Sequence, residues 1–96
     1  MLVLITYDVA ISQGNGARRL RRVAKICQNY GQRVQNSVFE CVVDSLQLQQ
    51  LKTQIAAVID LQHDSIRYYN LGKSGQKKVD HVGAKPSFDI EDVLIV

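Results

Sequence analysis

The chain has 96 residues, 46% of them hydrophobic, and a formal net charge of +3 at pH 7. This length fits one domain with a modest core, to which a partner subunit would add stability, and the composition excludes a disordered or low-complexity protein. The opening residues lack the basic start and the cleavage site of a signal peptide, and their apolar run is too short to span a bilayer. We therefore expect a cytoplasmic protein.

The first nine residues, MLVLITYDV, form an apolar run rich in branched side chains that closes on the carboxylate of Asp8. Such a run predicts a fully buried central strand. A carboxylate at the end of a buried strand is costly unless it finds a donor, a cation or solvent. Asp8 is therefore either an ordinary turn-forming residue or part of a functional site.

A loop at residues 10–16 leads into an amphipathic pattern at residues 17–30, where apolar side chains recur at steps of three and four. This periodicity predicts a helix, with Asn15 as its N-cap and Gly31 at its end. Cys27 falls on the apolar stripe of this helix, and Cys41 falls in a predicted strand. We expect both to be buried, reduced thiols.

Charge is segregated in the first half of the chain, which has no acidic residue between Asp8 and Glu40. Four cations fall on the helix side opposite the apolar stripe, with Arg19 at the margin. We name these four the basic ridge: Arg18, Arg21, Arg22 and Lys25. Like charges at this spacing repel, so a ridge of one sign favours a polyanion contact over a merely solvated face. The predicted nucleic-acid-binding residues are Arg18, Arg19, Arg21, Arg22, Lys25 and Arg33.

The remaining elements alternate strand and helix. Residues 33–36 and 38–43 predict two strands, Asp44 and Ser45 cap a second helix, and residues 64–71 predict a fourth strand. The order strand, helix, strand, strand, helix, strand is that of the ferredoxin-like fold, so we predict an α+β βαββαβ sandwich.

Beyond this core, an apolar piece at residues 79–82 and another at 93–96 predict additional strands at a sheet edge. We divide the chain into a ferredoxin-like domain at 1–82 and a C-terminal extension at 83–96, whose apolar end we expect to be buried at a sheet edge in the same chain or in a second copy. The acidic cluster in the extension either faces a basic partner or is solvated. Its members are Asp89, Glu91 and Asp92.

Several stretches in order resemble the CRISPR-associated Cas-two family, the small core protein of CRISPR adaptation. They are the strand end at 5–9 (ITYDV), the arginine-rich helix, residues 31–41 (GQRVQNSVFEC) and residues 64–71 (DSIRYYNL). The resemblance covers essentially the whole chain. Residues 82–87 (VGAKPS) resemble the type I-C branch.

The resemblance implies a homodimer whose first strands bring two copies of Asp8 together near the two-fold axis, and a C-terminal strand exchanged with the partner. Members are described as Mg²⁺-dependent (or Mn²⁺-dependent) endonucleases acting on RNA or double-stranded DNA. They are also described as the central dimer that holds protospacer DNA between Cas-one integrase dimers. These two functions compete.

Asp8 is accordingly the candidate catalytic and metal-binding residue, because two facing carboxylates completed by water and a substrate phosphate suit Mg²⁺. The loop at 10–16 has no acidic residue, so metal binding rests on Asp8 and its symmetry mate. Tyr7, Ser37 and Phe39 are candidate neighbours of the site, although Phe39 fits a strand core equally well.

No histidine precedes His63 to serve as a general base, and we expect structural or solvated roles for His63 and His81. The alternative function is a non-catalytic clamp, in which a dimer aligns two basic ridges along a duplex without reading its sequence. A regulatory domain that binds a small molecule is a third possibility, because this fold hosts many functions.

Overall fold

The computed structural model describes residues 1–10, 14–72 and 78–84. The order of elements confirms the predicted α+β fold with an added C-terminal strand. In chain order the elements are β1 (Leu2–Asp8), α1 (Gly16–Gln28), β2 (Gly31–Gln35), β3 (Val38–Val42), α2 (Ser45–Ala56), β4 (Ser65–Asn70) and β5 (Lys78–Gly83).

Within these described ranges the strands form one antiparallel sheet in the order β2-β3-β1-β4-β5. β1 is central, as its apolar run predicts: Ile5 lies opposite Phe39 of β3 on one side and Tyr68 of β4 on the other. Side chains alternate between the two faces of a strand. Val3, Ile5 and Tyr7 are therefore buried together, whereas Asp8 lies on the opposite face and is exposed.

The two helices cover the face that carries Ile5. α1 buries Leu20, Val23, Ala24 and Cys27, and α2 buries Leu51 and Ile55; all belong to one core cluster with β1. This stripe matches the predicted periodicity. Cys27 and Cys41 are free, buried thiols, which confirms the expectation for both.

The helix starts differ in how they are capped. Asp44 caps α2 in a complete capping box, accepting from the Gln47 backbone N–H at 2.7 Å while the Gln47 side chain accepts from the Asp44 N–H at 3.0 Å. Asn15 stands at the predicted N-cap of α1, but its side chain makes no cap hydrogen bond there. Its carbonyl accepts from the Arg19 backbone N–H at 2.9 Å instead.

β5 adds a strand to the outer edge of β4, with Gly83 opposite Ser65. Gly83 has a φ of +130°, and a Cβ there would lie 2.1 Å from the Asp64 carbonyl oxygen, so the close approach requires glycine. Residues 85–96 of the predicted extension, including the strand at 93–96 and the acidic cluster, lie outside the described residues. Neither α1 nor α2 is long and apolar enough to cross a membrane.

Candidate functional site

Asp8 lies where β1 leaves the sheet, and its side chain is exposed. It pairs with Ser65 at the start of β4, whereas the last pair between β1 and β3 is Thr6 with Val38, two residues earlier. β1 therefore extends past the end of β3, and Asp8 stands beside the gap that this offset leaves. The register, rather than a special motif, presents the carboxylate to solvent.

A cavity of about 340 Å³ opens beside Asp8. Its polar lining comes from four further residues on three segments: Thr6 of β1, Asn36 and Ser37 of the turn between β2 and β3, and Arg67 of β4. Arg67 pairs with Thr6 in the sheet, so the two side chains share the face of Asp8. The cavity thus brings a carboxylate, a guanidinium and hydroxyl groups to one place.

The turn between β2 and β3 is fixed against β1. The Tyr7 N–H donates to the Ser37 carbonyl at 2.9 Å, and this bond places Ser37 beside Asp8. Arg33 closes the same turn, with Nε donating to the Asn36 carbonyl at 2.7 Å and Nη2 donating to Asn36 Oδ1 at 3.1 Å. Ser37 is therefore a neighbour of the site, and Arg33 is exposed and holds the turn that lines the cavity.

Phe39 lies in the core, whereas Tyr7 contributes to the cavity lining although its side chain is buried. Phe39 is 0% exposed and lies opposite Ile5, so of its two predicted roles the strand-core role is the one observed. The Arg33 guanidinium lies 5.8 Å from the centroid of the Phe39 ring. The Tyr7 hydroxyl is directed under the sheet, where it donates to Asp64 Oδ2.

Asp64, which was not predicted to be a site residue, is the centre of a buried polar network. Its carboxylate is 0% exposed and accepts from the Arg19 Nε at 2.8 Å and the Arg19 Nη2 at 3.2 Å. Two backbone N–H groups also donate to it, that of Ala10 at 2.9 Å and that of Asp60 at 3.0 Å. Asp64 thus joins the segment after β1, helix α1 and the loop before β4.

The ionisation of this network follows from its contacts. Burial alone would raise the pKa of Asp64, but donors from Arg19, Tyr7, Ala10 and Asp60 favour the carboxylate and lower its pKa to about 2. The same geometry raises the pKa of the Tyr7 hydroxyl, through burial and through its bond to Asp64. At neutral pH, Tyr7 is therefore a hydrogen-bond donor and Asp64 is an anion.

The basic ridge is exposed along α1, as its helical spacing predicts. Its members Arg22 and Lys25 line a groove of about 400 Å³ beside Val58. Arg19 differs from them: its side chain is only 13% exposed and is engaged with Asp64. We therefore correct the interpretation of Arg19, which is an internal partner of a carboxylate rather than a member of the nucleic-acid-binding surface.

His63, one of the two histidines of the sequence, contacts an acidic side chain outside the cavity. His63 Nδ1 lies 3.0 Å from Asp60 Oδ2, which agrees with a structural role. Among the residues that the structure describes, no group of three His, Cys, Asp or Glu side chains is arranged to hold a metal ion. Among the described residues that line the cavity, Asp8 supplies the one carboxylate that a divalent cation could use.

Comparison with known proteins adds independent information. The sequence model of the family described as CRISPR associated protein Cas2 matches residues 1–79. The chain is 63% identical over 95 residues to the CRISPR-associated endonuclease Cas2 of Halalkalibacterium halodurans, covering 99% of each chain. It is 55% identical over 96 residues to the CRISPR-associated endoribonuclease Cas2 of Nitratidesulfovibrio vulgaris, covering all of this chain and 94% of the relative.

A solved structure agrees with the sequence matches. The crystal structure of Streptococcus pyogenes Cas2 at pH 6.5 superimposes with a TM-score of 0.72 and is 53% identical. The match covers 77% of this chain and 89% of that one. The names of these relatives carry no CRISPR subtype, so the type I-C assignment stays a prediction.

Proposed function

Because the chain belongs to the CRISPR associated protein Cas2 family, we propose that it is an endonuclease of CRISPR spacer acquisition that cleaves RNA or double-stranded DNA as a homodimer. Two relatives bear the names endonuclease and endoribonuclease, which supports phosphodiester cleavage as the reaction class. In this proposal Asp8 is the catalytic residue and holds Mg²⁺ or Mn²⁺.

The observation that carries the proposal is the exposure of Asp8 at the mouth of a polar cavity. The cavity places the exposed Asp8 carboxylate in the same lining as the guanidinium of Arg67 and two hydroxyl groups, those of Thr6 and Ser37. A phosphodiester is an anion with several acceptor oxygens, and these groups supply a charge and donors for it. The backbone around the cavity is also held by the bond from Tyr7 to Ser37.

The dimer is proposed from the face on which Asp8 lies. Leu2 and Val42 are opposite each other on this face and are 37% and 73% exposed. Exposed apolar side chains on the open face of a sheet are stabilised when a second sheet covers them. A two-fold axis through this face would bring the Asp8 carboxylate of one chain towards the partner's Asp8.

Such a pairing accounts for the incomplete metal site of one subunit. Mg²⁺ is commonly held by one or two carboxylates together with water and substrate phosphates. When bound, the ion would neutralise charge that develops on the phosphate and lower the pKa of an attacking water. The chain itself contributes the Asp8 carboxylate, the fixed position of that carboxylate, and Arg67 as a second positive group in the cavity.

The basic ridge has a separate role in the proposal. Its four cations are exposed on α1, which carries no acidic residue in any turn. Phosphate contacts of this kind orient a nucleic acid without reading its bases. We propose that the ridge and Arg33 hold the polymer while Asp8 acts on it.

The second candidate is the clamp, a DNA-binding scaffold that bridges Cas-one integrase dimers and holds protospacer DNA without cleaving it. The specific observation that favours it is that the described residues lining the Asp8 cavity include no histidine and no second carboxylate. Hydrolysis gains from a general base and an acid for the leaving group, and the described lining supplies neither.

The two functions are separated by Asp8→Asn, assayed with RNA and with duplex DNA in Mg²⁺ and in EDTA. The endonuclease proposal predicts loss of Mg²⁺-dependent cleavage with unchanged binding of nucleic acid. The matched control is Asp44→Asn, which removes a carboxylate elsewhere while asparagine retains the N-cap of α2. Equal cleavage by Asp8→Asn and the parental protein would reject the nuclease site and favour the clamp.

A further inference from the structure

The backbone of Ala10, two residues after Asp8, is held by hydrogen bonds at both its N–H and its carbonyl group. The Ala10 N–H donates to Asp64 Oδ1 at 2.9 Å, and the Ala10 carbonyl accepts from Arg19 Nη2 at 3.3 Å. That same Nη2 donates to Asp64 Oδ1 at 3.2 Å. One ion pair between α1 and the start of β4 therefore fixes the chain two residues after the exposed carboxylate.

The residue before Asp8 is held by the same carboxylate. Tyr7 is 2% exposed, and its hydroxyl donates to Asp64 Oδ2. Because adjacent residues of a strand point to opposite faces, the side chain of Tyr7 reaches the network below the sheet while Asp8 emerges above it. Asp64 thus holds the strand on both sides of Asp8 and leaves the Asp8 side chain in the cavity.

Asp64 is itself fixed by the surrounding backbone. Its N–H donates to the Asp60 carbonyl at 2.7 Å, and its carbonyl accepts from the Ala84 N–H at 3.0 Å. Gly83 packs so closely on the Asp64 carbonyl that a Cβ would clash. The network therefore has a rigid base, and its charged bonds are made where water is excluded.

From this geometry we propose that Asp64, Arg19 and Tyr7 are positioning residues that set the direction of the Asp8 carboxylate in its cavity. The inference rests on the proposed function of Asp8 and adds to it a supporting layer beneath the sheet. Groups that orient a metal-binding carboxylate contribute strongly to metal affinity and rate without touching the substrate. The network would act in each subunit, so two carboxylates could meet in register at a shared site.

The test uses Tyr7→Phe, which removes one donor and keeps the buried ring, and Arg19→Lys, which keeps the charge but not the paired bonds to Asp64. The matched control is Tyr30→Phe, because the Tyr30 hydroxyl is partly buried and accepts a hydrogen bond from Gln54 Nε2 at 3.2 Å. For each full-length protein, the measurements are kcat, KM, the Mg²⁺ concentration at half-maximal rate, and Mn²⁺ affinity without substrate by paramagnetic relaxation. Duplex affinity in EDTA and the folded fraction at the assay temperature are measured alongside.

We expect both variants to be folded and to bind duplex like the parental protein. Their kcat should fall about tenfold and their Mn²⁺ affinity should weaken by a similar factor, the range found for outer-layer partners of metal ligands. Tyr30→Phe should match the parental protein. Folded variants with parental kcat and parental Mn²⁺ affinity would overturn the inference, as would losses that only follow the unfolded fraction.

Asp8→Asn, measured in the same series, distinguishes failure of the proposed nuclease site from failure of the positioning role. Cleavage that survives Asp8→Asn rejects the proposed nuclease site, and the Mn²⁺ affinities then decide whether the network positions Asp8. Cleavage that requires Asp8 but is insensitive to Tyr7→Phe and Arg19→Lys rejects the positioning role alone.

Discussion

Arg19 and Asp64 lie 45 residues apart and are joined by two bonds, one from Nε to Oδ2 at 2.8 Å and one from Nη2 to Oδ1 at 3.2 Å. The pair crosses from α1 to the start of β4 beneath the end of β1. Since the Asp64 carboxylate is fully buried, its charge depends on these donors for compensation. The stability of the fold and the geometry of Asp8 are therefore linked through one carboxylate.

Acid should remove the contribution of Asp64 to stability. Its pKa is about 2 in the folded chain against an ordinary value of 3.8, so the folded state favours the carboxylate. The contribution, about 2 kcal/mol, is present above pH 3.8 and is lost as the pH falls towards 2. Urea unfolding at a series of pH values measures this loss.

The bond with His63 also lowers the pKa of the Asp60 carboxyl group, so Asp60 contributes to the acid dependence as well. The comparison that isolates Asp64 is Asp64→Asn, for which the dependence of the free energy of unfolding on pH should be flatter below pH 4. An equally steep dependence in that variant would assign the acid sensitivity to other groups.

Removing the Asp64 charge should destabilise the fold at neutral pH. Asp64→Asn leaves the Arg19 guanidinium and two backbone N–H groups facing an amide, and breaking a buried pair in this way costs roughly 3–5 kcal/mol. Adding Arg19→Met should restore part of the loss, because the uncompensated cation is then gone. Strictly additive effects of the two substitutions would show that the pair is not energetically coupled.

Binding of duplex by the basic ridge should depend steeply on salt. Each phosphate contact adds about 0.9 to the slope of log affinity against log salt, and each substitution occurs twice in a dimer. Arg21→Gln should therefore reduce the slope by about 2 and weaken binding to all sequences alike. Lys52→Gln on α2 serves as the control for the loss of one positive charge, and an equal change there would point to net charge rather than to the ridge.

The contribution of the capping box at the start of α2 to stability should be distinguishable from that of the Asp44 charge. Asp44→Ala removes the acceptor of the Gln47 N–H and should cost about 1 kcal/mol, whereas Asp44→Asn should lie within a few tenths of a kcal/mol of the parental protein. Thermal unfolding of the three proteins measures the difference. Equal stability of Asp44→Ala and the parental protein would mean that the box adds nothing.

The fold follows closely from the sequence because its periodicities are strong. The branched run before Asp8 forms the central strand, and the stripe through Leu20, Val23 and Cys27 faces the sheet. These patterns indicate which side chains are buried, and each pattern can be recognised within a short segment of sequence. The strand face on which Asp8 lies and the exposure of the basic ridge follow from the same two periods.

The Asp64 network could not be obtained in this way. Asp64 is the first residue of the strand predicted at 64–71 and carries no motif that marks it as a buried partner, and Arg19 sits at the margin of its helix. Their contact depends on the antiparallel register that sets Asp8 opposite Ser65, and that register is a long-range property. One feature of the predicted fold could have pointed to this contact. If the end of β1 lies beside the start of β4, an acidic residue at the start of β4 comes close to α1.

The most direct test of the shared site is cleavage by a mixed dimer that contains one parental chain and one Asp8→Asn chain, isolated with two different affinity tags. If the two Asp8 carboxylates serve one metal site, the mixed dimer should retain less than about a tenth of the parental rate in Mg²⁺, close to the dimer in which both chains are substituted. Retention of half the parental rate would mean that each chain works with its own Asp8, which would contradict the paired site.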